Sequence, residues 1–170
     1  MGALTFRPLR ADEIECRISQ VKPEGVSLLL YKNARCDMAI LDETVGPLNW
    51  QRAHSRDNAN CTVSIWDADK GQWISKEDTG KESRTEAEKG LASDSFKRAC
   101  FNWGIGRELY TAPEIWIPGG KKIDRYFVED IVITSDKVIA ALSIKDARSG
   151  KRAFLMDNRD KLKDRPKGEC

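Results

Sequence analysis

Trp50-Gln51-Arg52-Ala53-His54-Ser55-Arg56-Asp57, Asn60-Cys61-Thr62-Val63-Ser64-Ile65-Trp66-Asp67 and Gln72-Trp73-Ile74-Ser75-Lys76-Glu77-Asp78 are three successive runs with a period of two. Successive side chains of a strand point to opposite faces, so this period predicts three strands. Asp69-Lys70-Gly71 supplies a tight turn between the last two, which makes the group an antiparallel meander. Arg52, His54 and Arg56 fall on one side of the first strand, and Cys61, Val63 and Ile65 form the apolar side of the second. The expectation is one buried sheet face and another that is wet and partly basic.

Working outward, the strongest helical pattern runs from about Arg84 to Trp103. Ser83-Arg84-Thr85-Glu86 fits a capping box and Gly104 closes the run. Ala92, Phe96, Ala99, Cys100 and Trp103 share one arc, the stripe a helix needs to pack on a sheet. Upstream, Asn33 can cap a helix whose Met38, Leu41 and Val45 share a face, with Gly46-Pro47 ending it. Leu9, Ile14, Ile18 and Val21 predict a short amphipathic helix over residues 10–20, and Val26–Tyr31 a strand. After a Pro-rich connection, Tyr126–Ile133, Val138–Ile144 and Lys151–Met156 read as further strands. The fold class is α+β, an antiparallel meander packed on a long helix.

The 170 residues, 40% hydrophobic and 33% charged, suit one globular domain, expected over residues 1–157, followed by a charged flexible tail over 158–170. That tail holds five basic and three acidic residues and so accounts for the whole net charge of +2. Bulk charge therefore carries no argument for nucleic acid, and any case must come from individual cations. No apolar run spans a bilayer and no signal-peptide pattern opens the chain, so a cytoplasmic location is expected. Five irregularly spaced cysteines without C-x-x-C suggest reduced thiols, with neither a disulfide framework nor a zinc site. His54, the sole histidine, reads as a strand residue without chemistry.

No phosphate-cradling G-x-x-x-x-G-K-[ST] loop is present, so ATP-driven chemistry has no motif here, and no cofactor is implied. Glu77, Asp78, Glu82, Glu86 and Glu88 concentrate near a strand-to-helix junction, where a metal-dependent nuclease would place its ligands. Their spacing matches no metal template, and an acidic first helical turn accounts for them through the helix dipole. Lys97 and Arg98 lie about 100° apart on the long helix and flank its apolar stripe. They can serve one groove edge that binds phosphate, or complement the helix dipole and pair with neighbours such as Asp94.

Three blocks occur in fixed order: Tyr31-Lys32-Asn33-Ala34-Arg35 through Leu48-Asn49-Trp50; Asp78-Thr79-Gly80-Lys81-Glu82-Ser83; and Glu86-Ala87-Glu88-Lys89-Gly90 through Phe96-Lys97-Arg98-Ala99 and Gly106-Arg107-Glu108-Leu109-Tyr110. Together they resemble the Rad fifty-two family of single-strand annealing proteins, particularly its shorter bacterial and phage-borne members, over residues 30–117. The resemblance implies a β-β-β-α core whose copies join into a ring, with single-stranded DNA in a basic groove. It implies ATP-independent annealing of complementary strands in recombination and repair, in a bacterial host cell, by a protein that is not an enzyme. The family's principal DNA-contacting pair falls on Lys97 and Arg98, and Arg35 matches a further basic position. Strand alternation adds Arg52 and Arg56, and Arg107 completes the candidate set.

Two departures stand beside it. The chain has no long C-terminal region of the kind eukaryotic members use to engage a recombinase and a single-strand-binding protein, so an exonuclease or single-strand-binding partner stays open. A further basic position of the family's DNA-binding helix is Phe101 here, a residue suited to stacking on a base or to a subunit contact. Alternatives from other classes are the metal-dependent nuclease and an oligomeric adaptor that binds no DNA.

Overall fold

The computed structural model describes residues 3–81 and 87–163. In chain order its elements are β1 (Glu15–Lys22), β2 (Gly25–Tyr31), α1 (Ala34–Val45), β3 (Trp50–Ser55), β4 (Asn60–Asp67), β5 (Gln72–Thr79), α2 (Ala87–Asn102), β6 (Ile115–Pro118), β7 (Tyr126–Ile133), β8 (Ile139–Asp146), β9 (Arg152–Asp157) and α3 (Arg159–Lys163). The chain is α+β, with antiparallel sheets. It divides into two compact units, one formed by Met1–Arg7 with Lys32–Gly106 and the other by Pro8–Tyr31 with Arg107–Cys170. The expected capping box at Ser83–Glu86 and the tail beyond Lys163 lie outside the described residues. No helix among the described residues is long and apolar enough to cross a membrane.

In the first unit Asn33 is extended, and its side-chain oxygen accepts a 2.9 Å hydrogen bond from the Cys36 amide, which satisfies one of the free N–H groups that open α1. Gly46, at φ +88°, ends the helix, and Ile40 and Leu41 are fully buried beneath it. Strands β3, β4 and β5 form a three-stranded antiparallel sheet in that order. Asp67 Oδ1 accepts from the amides of Asp69 and Lys70, and Gly71 takes φ +62°, so the tight β4–β5 turn rests on an Asx-type cap and a glycine.

Helix α2 buries Phe96, Ala99 and Cys100 completely. Trp103, just past its end, donates from Nε1 to the Val63 carbonyl of β4 at 2.9 Å, and the ring of Phe96 stacks on Trp50 of β3 at 6.1 Å. Asn102 Nδ2 donates to the Glu77 carbonyl of β5 at 3.1 Å, so β3, β4 and β5 each hold part of the helix.

The second unit contains a six-stranded antiparallel sheet of order β6-β2-β1-β7-β8-β9. Its edge strands β6 and β9 approach each other, so the sheet curls on itself. The expected helix over residues 10–20 is not formed: a single 3-10 turn at Ala11–Glu13 leads directly into β1. Cys16 and Ile18 alternate as a strand should, pairing with Leu30 and Leu28. A bulge at Ser19 then shifts the alternation by one, bringing Val21 opposite Val26. Apolar residues at 14, 18 and 21 thus imitate a helical period. The Pro-rich connection also hides β6, whose Ile115 and Ile117 are buried against β2.

Candidate nucleic-acid interface

Residues directly opposite in an antiparallel pair project to the same face. The β3–β4 register sets Trp50 against Ile65, Arg52 against Val63 and His54 against Cys61. Arg52 and His54 therefore share the face of the buried Cys61, Val63 and Ile65, which corrects the expectation that they stand on the opposite, wet side. Arg52 stays exposed because it reaches over the edge of α2, with its guanidinium carbon 4.6 Å from the centre of the Phe96 ring. His54 Nδ1 lies 3.4 Å from the buried Ser95 hydroxyl, and burial together with the neighbouring Arg52 disfavours its charged form. Arg56 is not on the strand: β3 ends at Ser55, and Arg56 is exposed in the β3–β4 turn at φ +52°.

Lys97 and Arg98 are half-buried on α2. The Arg98 guanidinium pairs with Asp94 at 3.0 Å one turn earlier, each side chain about a third exposed. Asp94 also accepts the Lys81 amide at 2.7 Å, so Arg98 belongs to the side of α2 where the chain leaves β5. The Lys97 cation favours the ionised form of Asp37 in the first turn of α1, which places it near that helix. Arg35 lies exposed in the same first turn. Arg107 is exposed at the start of the 3-10 turn Arg107–Thr111, in the second unit. The first unit thus contains five of the six candidate cations.

Two cations escaped the sequence reading. Lys76, opposite Val63 in the β4–β5 ladder, holds its ammonium 4.9 Å from the Trp103 ring centre and donates to the Asn102 carbonyl at 3.4 Å. The alternation that placed Val63 on the apolar side could have placed Lys76 beside it. Lys32 is buried in an ion pair with Asp37, and its ammonium lies 4.0 Å from the centre of the Phe101 ring. Phe101 is therefore in contact within its own unit, where it receives a cation rather than standing in for one. Periodicity gave no hint of this pair, because its members lie on either side of a strand-to-helix junction.

Among the acidic residues, Glu77 accepts from Asn60 at 2.8 Å, and Asp78 accepts from Asn102 at 3.3 Å. Glu82 and Glu86 lie outside the described residues. No three His, Cys, Asp or Glu side chains among the described residues form a group able to hold a metal ion. Cys16, Cys36, Cys61 and Cys100 are in no disulfide; burial pushes Cys61 up to about 11 and Cys100 further still. The raised values disfavour the thiolate at Cys61 and Cys100, which makes these two poor nucleophiles and poor ligands. Arg52 and Lys76 are held over aromatic rings beside α2, which itself carries Lys97 and Arg98, an arrangement suited to binding a polyanion. No family model, no curated protein and no solved structure matches this chain.

Proposed function

We propose that this protein binds single-stranded DNA and anneals complementary strands without ATP, as in the Rad fifty-two family that its sequence blocks resemble. The observation that carries this reading is the placement of Lys97, Arg98, Arg52 and Lys76 on or against α2, with Arg35 exposed in the first turn of α1, all in one unit. A protein that anneals must hold the sugar-phosphate backbone and leave base edges free to test pairing, and cations on rigid elements do so without base-specific pockets. In this reading the meander and α2 act as a β-β-β-α core, and copies of it join into a ring. Many modest phosphate contacts then add along one strand.

The test is a mobility-shift titration with single- and double-stranded oligonucleotides, paired with an annealing assay lacking ATP. Preferential binding of single strands and faster annealing support the reading; no shift at low salt refutes it. Magnesium-dependent loss of labelled DNA would instead support a nuclease.

A further inference from the structure

Lys32 and Asp37 are 1% and 0% exposed. Taking two charges out of water costs several kcal/mol each, and a well-packed apolar pair in their place is often as stable or more so. Stability alone is thus a weak reason for this pair, and its geometry suggests another. Lys32 lies at the end of the segment leaving β2 and Asp37 in the first turn of α1. The Lys32 ammonium also reaches the Lys97 carbonyl at 3.5 Å and the face of Phe101 on α2. Its stem fills the space beside Gly106, where an added Cβ would lie 2.5 Å from Lys32 Cε and 2.8 Å from Cδ. One ammonium therefore joins the first turn of α1 to the turn of α2 that carries Lys97.

We propose that Lys32 and Asp37 are a positioning latch for the nucleic-acid site, fixing the turn of α2 that presents Lys97 against the turn of α1 that presents Arg35. Neither residue touches the strand; they act by setting the spacing of two phosphate contacts. The proposal rests on the reading of Lys97 and Arg35 as DNA contacts. A cationic track loses affinity when its charges fall out of step with the phosphates, even if every charge is retained.

The experiment compares the parent with Asp37→Asn and with Lys32→Met/Asp37→Leu, using thermal melting and fluorescence anisotropy of a labelled single-stranded oligonucleotide. The double variant, which strands no buried charge, is expected to melt near the parent yet bind about tenfold more weakly, with a shallower salt dependence. Asp37→Asn is nearly isosteric and carries the test if the double variant fails to fold. Asp37 faces Lys32 from the β2–α1 segment and Lys97 and Cys100 from α2, and burial raises its carboxyl to about 6. At neutral pH the Asn variant should bind more weakly than the parent, and by about pH 5, where Asp37 is largely protonated, the two should converge.

Equal affinity and salt dependence in parent and folded double variant would overturn the latch. A parent that binds no single-stranded DNA overturns the nucleic-acid reading itself, and the latch with it; binding that is unchanged in folded variants overturns the latch alone.

Discussion

The guanidinium of Arg52 lies over the ring of Phe96, 4.6 Å from its centre, so a cation on β3 is seated on the apolar stripe of α2. A cation over an aromatic face at an exposed site contributes about 0.5–1 kcal/mol. Arg52→Ala should lower the stability measured by urea unfolding by that amount, and Arg52→Lys should recover part of it. Both variants should bind single-stranded DNA more weakly than the parent, Ala more than Lys. An Ala variant as stable as the parent would show that the stacking contributes nothing.

Gly104 and Gly106 both have positive φ, +97° and +74°, but differ in surroundings. A Cβ at Gly104 meets nothing within 4 Å, whereas one at Gly106 meets the Lys32 stem and comes within 3.2 Å of Phe101. Gly104→Ala should cost about 1–2 kcal/mol, the penalty of a left-handed backbone alone. Gly106→Ala should cost clearly more, because the buried Lys32 has no room to give. Equal shifts in denaturant midpoint would contradict this packing.

Much of the first unit was legible because its local signals agree. Asn33 and Gly46 mark the ends of α1, and β4, whose alternation is clean, begins and ends where it was expected. Three things were not legible. The bulge at Ser19 breaks a period that can be read only if strand partners are known. The face of Arg52 and His54 depends on a cross-strand register that alternation within one strand does not specify. The Lys32–Asp37 pair depends on tertiary burial, and an isolated Lys and Asp in sequence read as surface residues. Of the candidate cations, the Lys97–Arg98 pair was visible from the helical wheel, since flanking a stripe is a property of α2 alone.

Asp37 makes stability depend on pH in a direction opposite to most carboxylates. Burial is the largest influence and raises its carboxyl to about 6, against lowering by Lys32 and Lys97. A raised folded-state value means the contribution to stability is fully present below the unfolded value near 4 and is lost as pH rises through about 6. Relative to Asp37→Asn, the parent should therefore gain melting temperature on acidification through that window. A difference that is flat with pH, or of opposite sign, would contradict the assignment.

Trp103 combines a hydrogen bond to the Val63 carbonyl at 2.9 Å with a face that receives the Lys76 ammonium. Trp103→Phe keeps a ring but removes the donor, leaving a half-buried site one bond short at a cost of about 1 kcal/mol. Chemical denaturation would check this. A variant within a few tenths of a kcal/mol of the parent would mean that water replaces the lost donor.

The central claim is that Lys97 and Arg98 hold DNA rather than the fold. Among the described residues Arg98 pairs with a partly exposed Asp94 four residues away, a bond worth about 0.3–0.5 kcal/mol, and Asp94 keeps the Lys81 amide when it is lost. What Lys32 takes from Lys97 is a backbone carbonyl, which alanine retains, while alanine loses the cation that favours the ionised form of Asp37. The direct measurement is the affinity of Lys97→Ala/Arg98→Ala for a labelled single strand, read beside melting and sedimentation of the same sample. The prediction is a steep loss of binding and annealing, with melting temperature and assembly near those of the parent. Parent-like binding by the folded double variant, or its collapse into unfolded monomers, would contradict it.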